Sequence, residues 1–352
     1  AGLREFDSSM ASVIGWDIGG AHLKAARAED GVIVSAAQFA CTPHHGLSFL
    51  EQAIDKAAAH MGRADRHAVT MTAELSDAFE TRAQGVLSVA AIFAGRAKAA
   101  DISFYAGTNG FISLAKLSQA ASGVASANWR ASASLLARSL ADGLLIDMGS
   151  TTTDLIPIKD GAVNAIGQND FERLAQGELL YTGLVRGNPT AGVSLAPIGG
   201  RWLSLVGENF ATMADVHRIL GDLPEDADMT PTADGRAKTI EASMARLARL
   251  VGCDASDADA EQWRGFAAYL ARAQMRRIED QIALLASRDA FAPHATYVGA
   301  GVGRELVTRL ARTHEKNYRD FEDFIPATRE ARRAASDCAP AAAVALLLDA
   351  GA

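Results

Sequence analysis

A mixed α/β chain of two lobes is what the sequence predicts, and three observations carry the prediction. At 352 residues the chain is longer than one hydrophobic core usually serves. A glycine-turn motif occurs twice. It runs Val13-Ile14-Gly15-Trp16-Asp17-Ile18-Gly19-Gly20-Ala21-His22-Leu23-Lys24 and returns, changed, as Leu144-Leu145-Ile146-Asp147-Met148-Gly149-Ser150-Thr151-Thr152-Thr153-Asp154-Leu155. Around these copies, short apolar runs alternate with stretches of helical spacing.

Each copy passes from apolar residues into Asp-x-Gly, then polar residues, then a second apolar stretch, which predicts a β-hairpin with a turn rich in exposed backbone N–H groups. Glycine lets a ligand approach the main chain, so consecutive amides can converge on a phosphate oxygen. The aspartate before the glycine repels a naked phosphate but can hold Mg²⁺ or a bound water that faces one. Two ordinary hairpin turns are the plain alternative, since Asp-x-Gly is common. The repetition, with Lys24 in one copy and Ser150 to Asp154 in the other, favours a phosphate site.

Helical spacing predicts a helix from about Gly46 to Met61, and His67 to Met71 reads as a strand. Thr72 can cap the next segment, and Glu74 and Asp77 lie near a helix start, where the macrodipole alone favours carboxylates. Ile102 to Tyr105 is a further strand, ended by the turn signal Gly107-Thr108-Asn109-Gly110. A small, polar stretch from Ser118 to Ala127 leads into Asn128-Trp129-Arg130 at the head of an alanine-rich helix. Trp129 there either walls a substrate pocket or closes a lobe interface. Between Phe171 and Arg186, Glu178, Tyr181 and Arg186 cluster in a way packing does not require, and Arg186 has the planar fork that suits a carboxylate or phosphate. Solvation of a surface is the plain alternative for each. An acidic, proline-punctuated loop spans about 222–234, and helices come after it at 239–251 and 260–286. A third glycine cluster, Gly299, Gly301 and Gly303, lies between a strand and a helix, where it suits a phosphate or an adenosine. The apolar segment 340–348 predicts a helix packing back across the lobes. The predicted spans are 10–140, 141–336 and 337–352.

With 49% hydrophobic and 22% charged residues the chain can fill two cores. Its net charge of -8, with no Lys/Arg-rich run, argues against nucleic acid and anionic membranes as partners, and small molecules are expected instead. Cys41, Cys253 and Cys338 are odd in number and lack CxxC spacing, so neither a disulfide framework nor a structural zinc site is expected. No apolar run reaches membrane-spanning length and no signal peptide is recognisable, so a cytoplasmic location is the default expectation. Residues 1–9 precede Met10, a natural start, and are set aside.

The two hairpins and the later glycine-rich strand-to-helix turn resemble the actin-like ATPase superfamily of sugar kinases, Hsp70 and actin. That resemblance implies a ribonuclease H-like fold of two lobes closing over a ligand. Asp17, Gly19, Gly20 and Lys24 match its first phosphate loop, Asp147, Gly149, Ser150, Thr151 and Thr152 its second, and Gly299, Gly301 and Gly303 the loop bordering adenosine. A narrower resemblance rests on residues 15–24, 71–77, 127–133, 177–183, 210–216 and 232–236 taken together. These are similar to the tetrahydromethanopterin-linked C1-transfer pathway protein family, related to the archaeal methanofuran-pathway synthase MfnF and, more distantly, to hydantoinase-like proteins.

The narrower resemblance implies a transferase that condenses an aminomethyl-furan-methyl diphosphate with the phenol of a (glutamyl)tyramine or tyrosine-type acceptor and releases diphosphate. A furan-methyl carbon stabilises positive charge as its leaving group departs, so the enzyme mainly neutralises diphosphate and positions the phenol. Asp17 and Asp147 are then expected at Mg²⁺, with Lys24, His22 and the Ser150 to Thr152 turn on diphosphate oxygens. Asn128, Trp129, Glu178, Tyr181 and Arg186 are expected around the substrate. Asp154 or Glu74 is the candidate base for the phenol, and His22 is a third candidate. Two other readings use the same loops: an ATP-dependent small-molecule kinase and a nucleotide-switched interaction protein. The sequence leaves homo-oligomerisation open.

Overall fold

The computed structural model describes residues 11–43, 46–97 and 101–351, and the chain divides into two units. One runs to Leu136 and also takes the chain from Glu322 onward; the other is Ala137–Phe321. The returning segment therefore starts earlier than the predicted 337. The start at Met10 and the residues set aside before it lie outside the described residues.

In the first unit, β1 (Ser12–Ile18), β2 (His22–Glu29) and β3 (Val32–Ala40) form an antiparallel meander. Helix α1 (Leu47–Met61) then crosses over to β4 (Arg66–Met71), which lies parallel to β1. After α2 (Arg82–Ala97), β5 (Ile102–Tyr105) adds in parallel, and the Gly107–Gly110 turn reverses the chain into β6 (Phe111–Ser113) as predicted. Strand β1 is buried along its length, so its alternating side chains serve two different environments. Ile14, Trp16 and Ile18 enter a core with Leu50, Ile54, Val89 and Phe93 of α1 and α2. Asp17 consequently points to the opposite face of the sheet. Trp16 stacks on His67 and donates its Nε1–H to Nδ1 of that ring at 2.9 Å. Burial pushes the His67 pKa down to about 4, with Asp101 acting weakly against it, which keeps the ring neutral as an acceptor.

One segment takes a form the sequence left open, and one local expectation changes. The stretch 118–127 lies largely in a helix, α3 (Leu117–Val124), because Leu117, Ala121 and Val124 give it a buried stripe. It is followed by α4 (Asn128–Ala137). Thr72 stands at the head of a short 3₁₀ turn, Ala73–Leu75, without a side-chain capping bond.

The second unit opens with β7 (Gly143–Met148), β8 (Thr153–Lys159) and β9 (Ala162–Val163), and α5 (Asp170–Gln176) leads to β10 (Leu179–Leu180), which pairs with β8. An inserted layer comes next: the hairpin β11 (Leu195–Ile198) and β12 (Arg201–Ser204), then α6 (Met213–Leu220), α7 (Ile240–Arg249) and α8 (Ala260–Ser287). Strand β13 (Thr296–Ala300) returns parallel to β7, and α9 (Arg304–Thr313) and β14 (Tyr318–Asp320) complete the sheet, in the order β10-β8-β7-β13-β14. Helix α8 serves two cores: Trp263, Phe266 and Leu270 pack with the inserted layer, Ile278, Ile282 and Leu285 with the sheet.

Helices α10 (Arg332–Asp337) and α11 (Ala339–Asp349) belong to the first unit, where α11 covers β1, β2 and β4. Arg66 ties its end down, donating to the Leu348 carbonyl at 3.0 Å and pairing with Asp349 at 2.7 Å. The two units repeat a further device. Asp30-Gly31 and Asp160-Gly161 have paired positive φ values, 47° and 78° and then 52° and 72°, the geometry of a tight two-residue hairpin turn. They lie at the same interval after Asp17 and after Asp147.

Candidate functional site

The first motif forms the turn between β1 and β2, closed by Gly19 N–H donating to the His22 carbonyl at 3.0 Å. Asp17 and Lys24 stand opposite each other in the ladder, so both side chains lie on the α11 face. Asp17 is 5% exposed, and Asn128 at the head of α4 places Nδ2 3.5 Å from its Oδ1. The other end of that amide accepts from Trp129 N–H at 2.8 Å, which orients the side chain. Trp129 is buried, with Arg130 over its ring. His22 is buried at the first position of β2, across from Ala40.

Three residues without a signal in the sequence join this neighbourhood. Thr70 is in register with Asp17 on β4, and Ser132 lies one helical turn beyond Asn128; both hydroxyls are buried without a hydrogen bond. Cys338, at the α10–α11 junction, has its thiol pushed up to about 12 by burial, with Lys24 acting against the shift and Asp337 and Asp17 adding to it. The charges of the first turn therefore reach the start of α11.

The second motif repeats the closure, Gly149 N–H donating to Thr152 O at 2.9 Å. It is also braced from outside. Leu184 N–H donates to the Gly149 carbonyl at 3.0 Å, and the Val185 and Arg186 amides donate to the Ser150 carbonyl at 3.0 and 2.9 Å. Gly183 lies so close that a Cβ would stand 2.5 Å from the Ser150–Thr151 peptide. Gln274 holds this brace, donating Nε2 to Thr182 Oγ1 at 3.0 Å and to the Gly183 carbonyl at 2.8 Å. The Ser150 hydroxyl is buried and makes no hydrogen bond.

The structure also brings the third glycine cluster to the second turn. Gly303 N–H donates to the Met148 carbonyl at 2.8 Å, and a Cβ on Gly301, whose φ is 75°, would meet Asp147 Oδ1 at 2.4 Å. Glycine is required there because the aspartate fills the space. Gly299 packs against the Tyr318 ring. Arg304, also missed in the sequence, is buried between the Gly301 carbonyl at 3.1 Å and Asp320 at 3.1 Å.

Other expected site residues have structural tasks. Glu74 is 1% exposed, accepts from Ser126 Oγ at 2.7 Å and lies near Arg82 at 3.8 Å, so its carboxylate is an internal anchor, sealed from a phenol. Asp154 pairs with the buried Arg173 at 2.7 Å, which commits the carboxylate that was a candidate base. Glu178 is fully buried and accepts from the Ile166 and Gly167 amides and from Arg288, which replaces a substrate contact with a loop clasp. Tyr181 is half exposed with its hydroxyl 3.3 Å from Asp170, and Arg186 is exposed. The segments 210–216 and 232–236 meet through Arg246, which bonds Asp215 at 2.8 Å and Asp234 at 3.0 Å.

Among the described residues no group of three His, Cys, Asp or Glu side chains is gathered to hold a metal ion. Single carboxylates at a turn suit Mg²⁺, which keeps waters and phosphate oxygens in its shell. In each unit a buried, unbonded hydroxyl accompanies the turn, Thr70 in the first and Ser150 in the second. Among the described residues no helix is long and apolar enough to cross a membrane.

The duplicated meander, the parallel strands beside it and the paired glycine turns define the class: a two-unit actin-like ATPase fold of ribonuclease H type. The nucleotide-free structure of acetone carboxylase shares this fold at a TM-score of 0.51 and 11% identity, covering 83% of this chain and 65% of that one. A model of the hydantoinase/oxoprolinase family matches residues 65–345. The (4-{4-[2-(gamma-L-glutamylamino)ethyl]phenoxymethyl}furan-2-yl)methanamine synthase of Methanocaldococcus jannaschii is 32% identical over 227 residues, 64% of this chain and 68% of that protein. The synthase of the same name from Methanococcus vannielii is 34% identical over 120 residues, covering 34% of this chain and about half, 53%, of that protein. The chain belongs to the hydantoinase/oxoprolinase family and, within it, to the family of these methanofuran-pathway synthases.

Proposed function

We propose that this protein is a transferase of methanofuran-type cofactor biosynthesis that joins an aminomethyl-furan-methyl diphosphate to a phenolic acceptor and releases diphosphate. The observation that carries the reading is the 32% identity to a synthase whose named product contains a phenoxymethyl-furan ether. Making that ether breaks the bond from the furan-methyl carbon to the diphosphate oxygen, forms a bond from the same carbon to the phenol oxygen, and sheds the phenol proton.

In the first unit, the Gly19–Gly20 turn and Lys24 are the groups assigned to diphosphate oxygens; in the second, the Ser150–Thr152 turn is. Asp17 and Asp147 would hold Mg²⁺, whose chemistry is to neutralise charge on a departing diphosphate. Low exposure at both carboxylates strengthens their electrostatic effect. Asn128 reaches Asp17 across 3.5 Å, and Gly301 seats the loop against Asp147. With Glu74 and Asp154 committed elsewhere, neither is assigned as the base for the phenol.

The test is product formation by purified protein with Mg²⁺, the furan-methyl diphosphate and tyramine-, glutamyltyramine- or tyrosine-bearing acceptors, with ATP and acceptor in parallel. Ether and diphosphate without ATP are the expected products. ADP formed only with an acceptor would return the protein to the kinases.

A further inference from the structure

We propose that the cavity between α6, α8 and α9 is a second small-molecule site, for an organic anion with an apolar body, and that its occupancy reaches the second glycine turn. The cavity lies wholly within the second unit and has a volume of about 530 Å³. That is within the range of small-ligand pockets, about 300–1,000 Å³. Leu220, Met275, Leu306 and Leu310 give it an apolar floor.

Its rim is cationic. Arg309 pairs with Asp222 at 2.6 Å, Arg276 with Asp280 at 3.5 Å, and Glu279 faces His314 at 3.8 Å. Arg264 donates only to the Ile219 carbonyl and Arg272 lies over the Tyr269 ring, so among the described residues these two guanidinium groups have no carboxylate partner. Two uncompensated cations above an apolar floor select an amphipathic anion.

The second observation is His217 in the cavity wall. Its side chain is fully buried, and Nε2 lies 2.9 Å from Gln274 Oε1. Because Gln274 donates its amide to Thr182 and Gly183, its oxygen faces the imidazole, and the network assigns the proton to Nε2. Nδ1 makes no hydrogen bond, and Asp222 Oδ2 stands 3.7 Å away. A bound group that donates to Nδ1, or that draws Arg309 away from Asp222, changes the hold of His217 on Gln274. Gln274 in turn fixes Gly183 against the Ser150–Thr151 peptide. The path from cavity to turn thus runs through Arg309, Asp222, His217 and Gln274.

The experiment titrates the full chain with 8-anilinonaphthalene-1-sulfonate, followed by fluorescence, and competes the probe with decanoate or decanol. Saturable binding is expected, with decanoate displacing the probe at a concentration about tenfold below that of decanol. Arg272→Glu, at an exposed position, and Ala271→Trp, which fills the cavity, should each weaken probe binding about tenfold with unchanged thermal melting. Absence of saturable binding, equal displacement by decanol, or binding that survives both variants would overturn the site. Hydrogen exchange at residues 149–155 should change with decanoate in the wild type and not in Arg272→Glu; unchanged exchange on saturation would overturn the coupling. Neither readout requires turnover, so this site stands or falls apart from the proposed reaction.

Discussion

The two glycine turns share one backbone design and differ in what surrounds it. Both close by a hydrogen bond donated by the N–H of the glycine two residues after the aspartate, Gly19 to the His22 carbonyl and Gly149 to the Thr152 carbonyl. Both receive an amide from the chain after the parallel neighbour strand, Thr72 to Ile18 and Gly303 to Met148. At the same ladder position, however, Asp17 faces Lys24 whereas Asp147 faces Asp154. The first turn keeps a cation beside its carboxylate. The second places a second carboxylate there and ties it to the buried Arg173. The first is open above Gly20, where among the described residues no atom beyond its chain neighbours lies within 4 Å of the place a methyl group would take, whereas the second is braced by Gly183. A repeated backbone thus offers two turns of which one is suited to contact and the other to support, and the difference lies in side chains that arrive from distant sequence.

The largest expected effect tests whether both aspartates serve the reaction. Asp17→Asn and Asp147→Asn should each lower turnover at least about a hundredfold, as loss of a preorganised charge does. Melting temperatures should move by no more than about 4 °C. A variant that retains wild-type turnover under limiting Mg²⁺ would remove its aspartate from the metal.

The ladder partners come next. Asp154→Ala takes a carboxylate partner from Arg173, which is 1% exposed, and should cost about 3–5 kcal/mol in urea denaturation. Lys24→Met should instead reduce turnover while stability stays within about 1 kcal/mol. Equal losses of stability would erase the distinction between a contacting and a supporting turn.

Acid sensitivity sharpens the comparison between the units. His67 is pushed down from 6.5 to about 4 by burial, so between those values the unfolded chain binds the proton that the native ring refuses. Its contribution is complete above pH 6.5 and is lost as pH falls toward 4, a change of about 3 kcal/mol. The corresponding position on the strand parallel to β7 is Tyr297, pushed up to about 12 by burial, which stays neutral throughout that window. Denaturation at pH 7.5 and pH 5 should show the loss, and His67→Gln should flatten it. A wild-type curve without a slope there would contradict the buried neutral ring.

The smallest effect concerns the turns themselves. Gly20→Ala should change stability by no more than about 0.5 kcal/mol, since the space is open. Gly183→Ala should cost about 1–3 kcal/mol, because backbone has to shift to admit the methyl group. Similar melting of the two variants would show that the brace is yielding.

Much of this site was legible because its signals are local. Asp-x-Gly between apolar runs specifies a hairpin whatever surrounds it, and the repeat pointed to two units. The Asp-Gly pairs at 30–31 and 160–161 were equally readable, as the same turn chemistry at the same interval. The charged residues were the least legible. Glu74, Asp154 and Glu178 look the same in a sequence whether they face a ligand or an arginine of the same chain, and their partners Arg82, Arg173 and Arg288 are set by the fold. Glu178 and Arg288, for instance, are brought together from opposite ends of the second unit's inserted layer.

The sequence by itself determined the two glycine hairpins, the strands β4 and β5 and the helices α1, α7, α8 and α11, because hydrophobic period and glycine chemistry act over a few neighbouring residues. Tertiary structure decided which of those residues form a site. It brought Asn128 to Asp17, Gly301 to Asp147 and Gln274 to Gly183, and it placed Thr70 and Cys338 beside the charges of the first turn. Those assignments depend on packing between segments far apart in the chain, where burial and partner charge are set by neighbours that no local pattern encodes.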